Sequence, residues 1–374
     1  MLPCGVYNER YAQDMAVVRT KRHWAILLIS LFLLYLFPVF DLQYFISFIN
    51  YLCITFIIVL GLQVVTGFCG QVSFGQAAFM AIGAYTSAIL TLKFGFSFWL
   101  ALPLSGLSAG VIGLIGGAPS LRIKGFYLAM ATLAIHFLIM WLIMHLEITG
   151  STQGLHPAPP SIGGFEFDSD GKMYYIIVSV MLLMTYGAKN MMRTRLGRAF
   201  VAIRDNDLAA EVMGINLYRY KLLAFFISCF YAGIAGSLWA HWIMVVHPEQ
   251  FTVLHAVWYV GMLIVGGMSL TAGAFFGVVF LRGLDELVMF SSPFLASTFP
   301  WLGTHPAASL GVTAFGLILI IFLIFEPRGI AHRWEIFKTS YRLYPFAYYY
   351  NSSSRKWDKV IFPRWDIPDY GYPS

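Results

Sequence analysis

The chain has 374 residues, of which 59% are hydrophobic and 11% charged, against roughly 25% charged residues in an ordinary soluble protein. That balance, with a mean hydropathy of +0.72, excludes a soluble globular fold and specifies an all-α, polytopic transmembrane helical bundle. The net charge of +6 is the Lys/Arg loop bias of a membrane protein, so it is no signature of nucleic-acid binding.

Residues 1–23 carry Arg19, Lys21 and Arg22 ahead of the apolar run Trp24 to Phe40. The order resembles a signal peptide, but no small-residue cleavage site follows and further apolar runs come at once. The run is therefore expected to be a retained first span behind a cytoplasmic N-terminal segment. Apolar runs then recur at 44–66, 73–92, 98–117, 125–146, 173–190, 221–243, 254–268, 272–290 and 306–325, giving about ten spans by the criterion of about 20 residues per crossing. They make 24–326 a transmembrane domain. The pair either side of Gly266 and Gly267 is short, and glycine-interrupted half-helices of this kind also form re-entrant hairpins. Were spans two to five and seven to ten related halves, their offset would make them inverted repeats, though the likeness between them is too weak to establish it.

Within the spans, Gly106, Gly110, Gly113 and Gly117 form two Gly-x-x-x-Gly pairs, the pattern by which membrane helices pack closely. Between spans, the loop 147–172 carries Glu147, Glu166, Asp168 and Asp170 against one lysine, with Pro157, Pro159, Pro160, Gly163 and Gly164 making it irregular. It is either a periplasmic landing surface or a solvated connector. Arg122 and Lys124, the stretch 194–221, and Arg328, Arg333, Lys338 and Arg342 are expected on the cytoplasmic side. The last segment, 327–374, is rich in Tyr and Trp and reads as a cytoplasmic tail, either disordered or resting at the interface where aromatic rings settle.

Chemistry is sparse. Cys4, Cys53, Cys69 and Cys229 have no paired spacing, so neither disulfides nor a metal site is expected. No Gly-x-x-x-x-Gly-Lys-Ser/Thr loop, His-Glu-x-x-His or Gly-x-Ser-x-Gly occurs, so no catalytic residues are assigned and the chain is expected to bind no cofactor and hydrolyse no ATP itself. Ionisable residues within spans are few: His136 near the middle of a span, His241 near a span end and expected at the interface, and Arg282, Asp285 and Glu286, read as a local ion pair near an interface. Such scarcity disfavours an ion-coupled carrier. The polar run from Thr66 to Gln76 supplies Gln71, Ser73 and Gln76, of which Ser73 and Gln76 would share a helix face. With Thr132 and His136 they are the candidates for a translocation path, interhelical hydrogen bonding being the alternative.

The stretch Thr194 to Lys221 stands apart: Arg195, Arg198, Arg204, Arg219 and Lys221 are mixed with Asp205, Asp207 and Glu211. A segment so charged cannot lie in lipid and must face water or a partner. Asp205 or Asn206 can cap a short helix that Gly214 ends, with Asp207 and Glu211 four apart on one side.

Taken in order, TGFCGQVSFGQAAFMAIGAYTSAIL (Thr66 to Leu90), KGFYLAMATLAI (Lys124 to Ile135), TGSTQGL (Thr149 to Leu155), LGRAFVAIRDNDLAAEVMGINLYRYKLLAF (Leu196 to Phe225), HPEQF (His247 to Phe251) and FEPRGI (Phe325 to Ile330) resemble the LivM-type permeases. These are membrane subunits of ABC importers for branched-chain amino acids, with relatives that carry urea or short amides. The resemblance covers roughly residues 45–330. It implies a bacterial inner-membrane protein with both termini cytoplasmic, partnered by a LivH-type permease, two cytoplasmic ATP-binding subunits and a periplasmic substrate-binding protein. It also implies that residues Ala202 to Gly214 couple the permease to its ATPases, through Arg204, Asp205, Asn206, Asp207, Ala209, Ala210, Glu211 and Gly214. The chain departs from the family pattern at His255-Ala256-Val257, where a Ser-Ile-Glu type sequence is usual, and at GGMSL from Gly266 to Leu270.

Overall fold

The computed structural model describes residues 21–40, 42–120, 125–151, 153–162, 165–268, 270–298, 306–326, 328–343, 348–351 and 356–359. Arg19, Arg122, Lys124, Gly163, Gly164, Ser269, Pro327, Cys4 and most of the aromatic tail lie outside them. Each of the ten apolar runs falls on a helix. In chain order these are α1 (Lys21–Leu36), α2 (Gln43–Leu62), α3 (Gln76–Leu92), α4 (Phe98–Ser120), α5 (Phe126–His145), α6 (Asp170–Arg193), then after two short helices α9 (Leu217–Ile243), α10 (Val253–Gly266), α11 (Thr271–Thr298) and α12 (Pro306–Phe325). The charged stretch forms the two short ones, α7 (Arg195–Asp205) and α8 (Asp207–Val212), and α13 (Ile330–Leu343) follows the last span.

Five of these helices are long and apolar enough to cross a membrane unaided: those within Gln43–Phe68, Phe98–Ala118, Phe126–His145, Asp170–Arg193 and Leu217–Ile243. Among the described residues, counting each bent helix pair as one span raises this to seven. Helix α3 has 17 residues, about 25 Å at 1.5 Å per residue, because Ser73 and its neighbours stay irregular and the helix begins only at Gln76. The expectation that Ser73 and Gln76 share a helix face therefore does not hold. Helices α10 and α11 are bent 117° apart at the Gly266–Gly267 break, and Gly267 takes a φ of +109°, which a side chain would resist.

Helix α9 is the centre of the bundle, packed on α2, α3 and α4. Lipid tails are as apolar as leucine, so its packing must come from close van der Waals contact, and small residues supply it. A Cβ at Gly106, Gly110, Gly113 or Gly117 of α4 would run into Phe230, Phe226, Cys229 and Phe225 of α9 respectively, and one at Gly83 of α3 would strike the Gly233 backbone. The Gly-x-x-x-Gly stripe predicted from sequence is thus the face on which α4 meets α9.

At one end of the bundle the 147–172 loop is drawn down onto the helices. A hairpin pairs β1 (Ser161–Ile162) with β2 (Phe165–Glu166), Leu155 bridges to Val246, and Ala158 accepts a 2.9 Å hydrogen bond from His241. Because that carbonyl can only accept, His241 carries its proton on Nδ1 and takes the Ser87 hydroxyl at 3.0 Å on Nε2. His241 is 1% exposed and, two residues from the end of α9, is a buried tie between that helix, α3 and the loop. Asp170, at the start of α6, accepts from Ser47 and from Trp242 Nε1 at 3.0 Å, while its carbonyl accepts from Asn50 at 3.1 Å. One acidic residue thereby joins α2, α6 and α9. A second hairpin, β3 (Tyr348–Asn351) with β4 (Lys356–Lys359), lies in the C-terminal tail.

Candidate coupling and translocation site

The other end of the bundle brings the two sequence-predicted sets of residues together. Helix α2 does not stop at Leu62 but widens into a π turn, Gln63–Phe68, a form that concentrates at functional sites. Beyond it the chain reverses through Gly70, whose φ is +73°. The Thr66 hydroxyl donates to the Gln71 carbonyl at 2.9 Å and Gln71 N–H to the Val65 carbonyl at 2.9 Å, which closes the reversal against the π turn.

The charged stretch folds as a capped pair. Thr194 caps α7 by accepting from Leu196 N–H at 3.3 Å, and Asn206, the second of the two residues able to do so, caps α8 by accepting from Ala209 N–H at 3.1 Å. Gly214, at a φ of +84°, ends α8. The inward side of this pair is apolar: Phe200, Ile203 and Ala210 pack with Val64, Phe68 and Cys69 of the π turn and with Ala224 of α9. Its outward side was not foreseen. Leu208, Val212 and Met213 are 66%, 87% and 83% exposed, beside the exposed Ala209, Asp205 and Glu211. Asp207 and Glu211 lie four apart on α8 as expected, with Asp207 half-buried and 3.9 Å from Lys221 and Glu211 exposed.

Arg204 joins the pair to the π turn. Its Nη1 donates to the Gly67 carbonyl at 3.1 Å, and its Nε and Nη2 reach Asp205 Oδ1 at 3.0 and 2.9 Å. The Arg204 stem also lies over Gly70, where a Cβ would sit 3.1 Å from its Cγ. From the other side Gln63 Nε2 donates to the Met268 carbonyl in the α10–α11 turn. The π turn is thereby held by α7 and by the α10–α11 turn.

A cavity of about 350 Å³ opens between α7, α8, the Gly70 reversal and the start of α5, lined by Cys69, Gln71, Arg204, Asp207 and Lys221 among others. Burial pushes the Cys69 thiol up to about 12, Lys221 opposing this in part. Of the predicted path residues, Gln71 lines this cavity, and its buried Oε1 has no hydrogen-bond partner among the described residues. Gln76 and Ser228 of α9 exchange two bonds, at 3.1 and 3.2 Å, Thr132 accepts from Phe74 N–H at 3.0 Å, and Ser73 accepts from Gly75 N–H at 3.4 Å. His136, one turn along α5 from Thr132, is 1% exposed, and its Nδ1 has no partner among the described residues. Gln76 is thus engaged by a helix–helix bond and Thr132 by the irregular stretch ahead of α3, while Gln71 and His136 keep polar atoms without a partner among the described residues.

Comparison with known proteins agrees with this architecture. A family model described as the permease component of branched-chain amino acid transport systems matches residues 44–325. Over 296 residues the chain is 30% identical to the high-affinity branched-chain amino acid transport system permease protein LivM of Escherichia coli (strain K12), an alignment covering 72% of this chain and 66% of that protein. It is 26% identical over 272 residues to the probable branched-chain amino acid transport permease protein LivH of Methanocaldococcus jannaschii, covering 69% and 82%. The guanosine ABC transporter permease protein NupQ of Bacillus subtilis is 27% identical over 194 residues, covering 46% and 59%. The chain thus spans slightly less than two thirds of the length of the Escherichia coli relative. No solved structure matches. With a match over 44–325 and the helical bundle described above, the chain belongs to the family of permease components of branched-chain amino acid transport systems.

Proposed function

We propose that this chain is a membrane permease subunit of an ABC importer for branched-chain or other small amino acids, driven by partner ATPases through α7 and α8. The observation that carries the reading is the outward face of α8. Three large apolar side chains, Leu208, Val212 and Met213, stand exposed on a short helix whose opposite side is locked to the π turn. In water such a patch is a cost unless a partner covers it. The chain has no nucleotide-binding loop of its own, so the partner to expect is the ATPase.

On this reading the chain sits in the bacterial inner membrane with α7, α8 and both termini cytoplasmic and the 147–172 loop periplasmic. A LivH-type permease, two ATP-binding subunits and a periplasmic binding protein complete the importer. ATP is consumed by the partners. Force applied to α8 reaches the π turn through Arg204 and the shared apolar core, and reaches the α10–α11 turn through Gln63. Branched-chain solutes are favoured over nucleosides because the LivM relative aligns over the larger share of the chain.

Uptake into vesicles holding the chain and its partners tests this. ATP-dependent uptake that collapses when Glu211 and Gly214 are disrupted is the expected result. Uptake that proceeds without ATP, or that survives those changes, refutes it.

A further inference from the structure

Helix α11 carries an arginine that the proposed coupling does not use. Arg282 lies eleven residues beyond the start of α11, about 16 Å along it. It is 5% exposed. The sequence expectation of an ion pair holds, with Nη1 3.5 Å from Asp285 Oδ2, and the guanidinium is buried within the bundle. The guanidinium stacks 4.1 Å from the Tyr51 ring centroid of α2 and 6.0 Å from that of Trp258 of α10.

The Asp285 contact occupies only one edge of the guanidinium. Nε and Nη2 are buried and have no hydrogen-bond partner among the described residues. These two nitrogens form the side-on fork whose parallel N–H groups match the two oxygens of a carboxylate. A buried cation with two donors unused is costly, and aromatic faces offset only part of that cost. Asp285 is about a third exposed, His255 is half-buried and within electrostatic reach of both Arg282 and Asp285, and the exposed Thr252 bonds His255 at 2.9 Å. Polar groups therefore step from Arg282 along α10 and α11 toward the end of the bundle that holds the 147–172 loop.

We infer that the Nε–Nη2 fork of Arg282 is a solute-binding site inside the bundle, which holds the carboxylate of the transported molecule beside the rings of Tyr51 and Trp258. The inference rests on the permease reading and narrows the cargo to carboxylate-bearing solutes, against urea and neutral amides.

The test is thermal unfolding of the assembled importer in nanodiscs, without its binding protein, titrated with leucine, isovalerate and leucinamide. A ligand that binds the folded state raises the melting temperature. Leucine and isovalerate are expected to raise it and leucinamide to leave it unchanged. Arg282→Lys keeps a charge for Asp285 but removes the fork, and is expected to weaken apparent isovalerate affinity about 10- to 100-fold, the worth of hydrogen bonds to a charged group. Should that variant fail to assemble, the neutral pair Arg282→Gln with Asp285→Asn, which leaves no lone carboxylate, decides. The inference is overturned by equal stabilisation from leucinamide, by no carboxylate-specific shift in the unaltered protein, or by unchanged isovalerate affinity in an assembled variant. ATP-driven uptake by the same importer, reconstituted with its binding protein into sealed vesicles, is scored separately. Its presence without a carboxylate-specific shift leaves the permease reading standing and removes only Arg282 as the site, whereas its absence refutes the permease reading itself.

Discussion

The Arg204 guanidinium donates to the backbone carbonyl of Gly67 across 3.1 Å, joining a charged helix outside the apolar bundle to the one turn of α2 that is not α-helical. A carbonyl in a π turn is available to an external donor because the widened winding moves its ladder out of line. Replacing Arg204 by alanine is expected to lower transport per ATP hydrolysed while leaving the helical content of the bundle intact. The local loss is that of a charge-assisted hydrogen bond, about 1.5–3 kcal/mol. Simultaneous uptake and ATPase assays check it, and an unchanged ratio would sink the idea.

The outer face of α8 gives a second expectation. Leu208, Val212 and Met213 are largely exposed, so serine at all three should change intrinsic stability by no more than about 0.5 kcal/mol each. Loss of a partner-facing apolar cluster, by contrast, costs about 2 kcal/mol or more in association. Co-purification of the ATPase subunits should fall by more than tenfold while the permease still extracts and melts normally. Retained co-purification would assign the patch elsewhere.

Two glycines should behave oppositely. At Gly83 a Cβ strikes the Gly233 backbone of α9, so Gly83→Ala must push α3 from α9, at about 1–3 kcal/mol. Gly214 has open space around it and only its φ of +84° to defend, so Gly214→Ala costs about 1–2 kcal/mol, confined to the end of α8. Thermal melting of the bundle should drop for Gly83→Ala, and ATPase coupling should drop for Gly214→Ala with little change in melting.

Cys69 offers a reporter of movement. Burial raises its thiol from the ordinary 9.0 to about 12, with Lys221 opposing, so at any pH below 9 the thiolate fraction is about a thousandfold below that of an ordinary cysteine, tenfold per unit. With Cys4, Cys53 and Cys229 replaced, maleimide labelling between pH 7 and 9 should be slow in the resting protein. The raised value implies that reactivity grows only as pH nears 12. Labelling that accelerates on ATP and solute addition would register α7 and α8 parting from the Gly70 reversal, and rapid labelling at rest would contradict the burial of Cys69.

Much of this architecture was legible because it is written in local patterns. The apolar runs place the helices, the Gly106 to Gly117 stripe names the face of α4 that meets α9, and Asn206 with Gly214 brackets α8. What escaped depended on distant partners. Nothing in the spacing of Gln63 to Phe68 announces a π turn, since its winding answers to Arg204 and Met268, each far along the chain. The tie made by His241 was not legible because Ala158, which holds it, sits in a loop without periodicity. The Asp285 partner of Arg282 was legible because it is near in sequence, while Tyr51, the ring beneath it, is far along the chain and was not.

A π turn holds one residue more than the α turn it replaces, so Gln63–Phe68 is a length of slack wound into α2. Rewinding it to α geometry would release that residue without breaking the helix. The irregular stretch between the π turn and α3 would rotate by about 100° and shift by about 1.5 Å. Gln71, now in the cavity wall, would be carried to a new bearing. A few ångströms of travel at α8 would then be geared into a change in which side chains face the interior, with the apolar packing of α3, α4 and α9 left undisturbed.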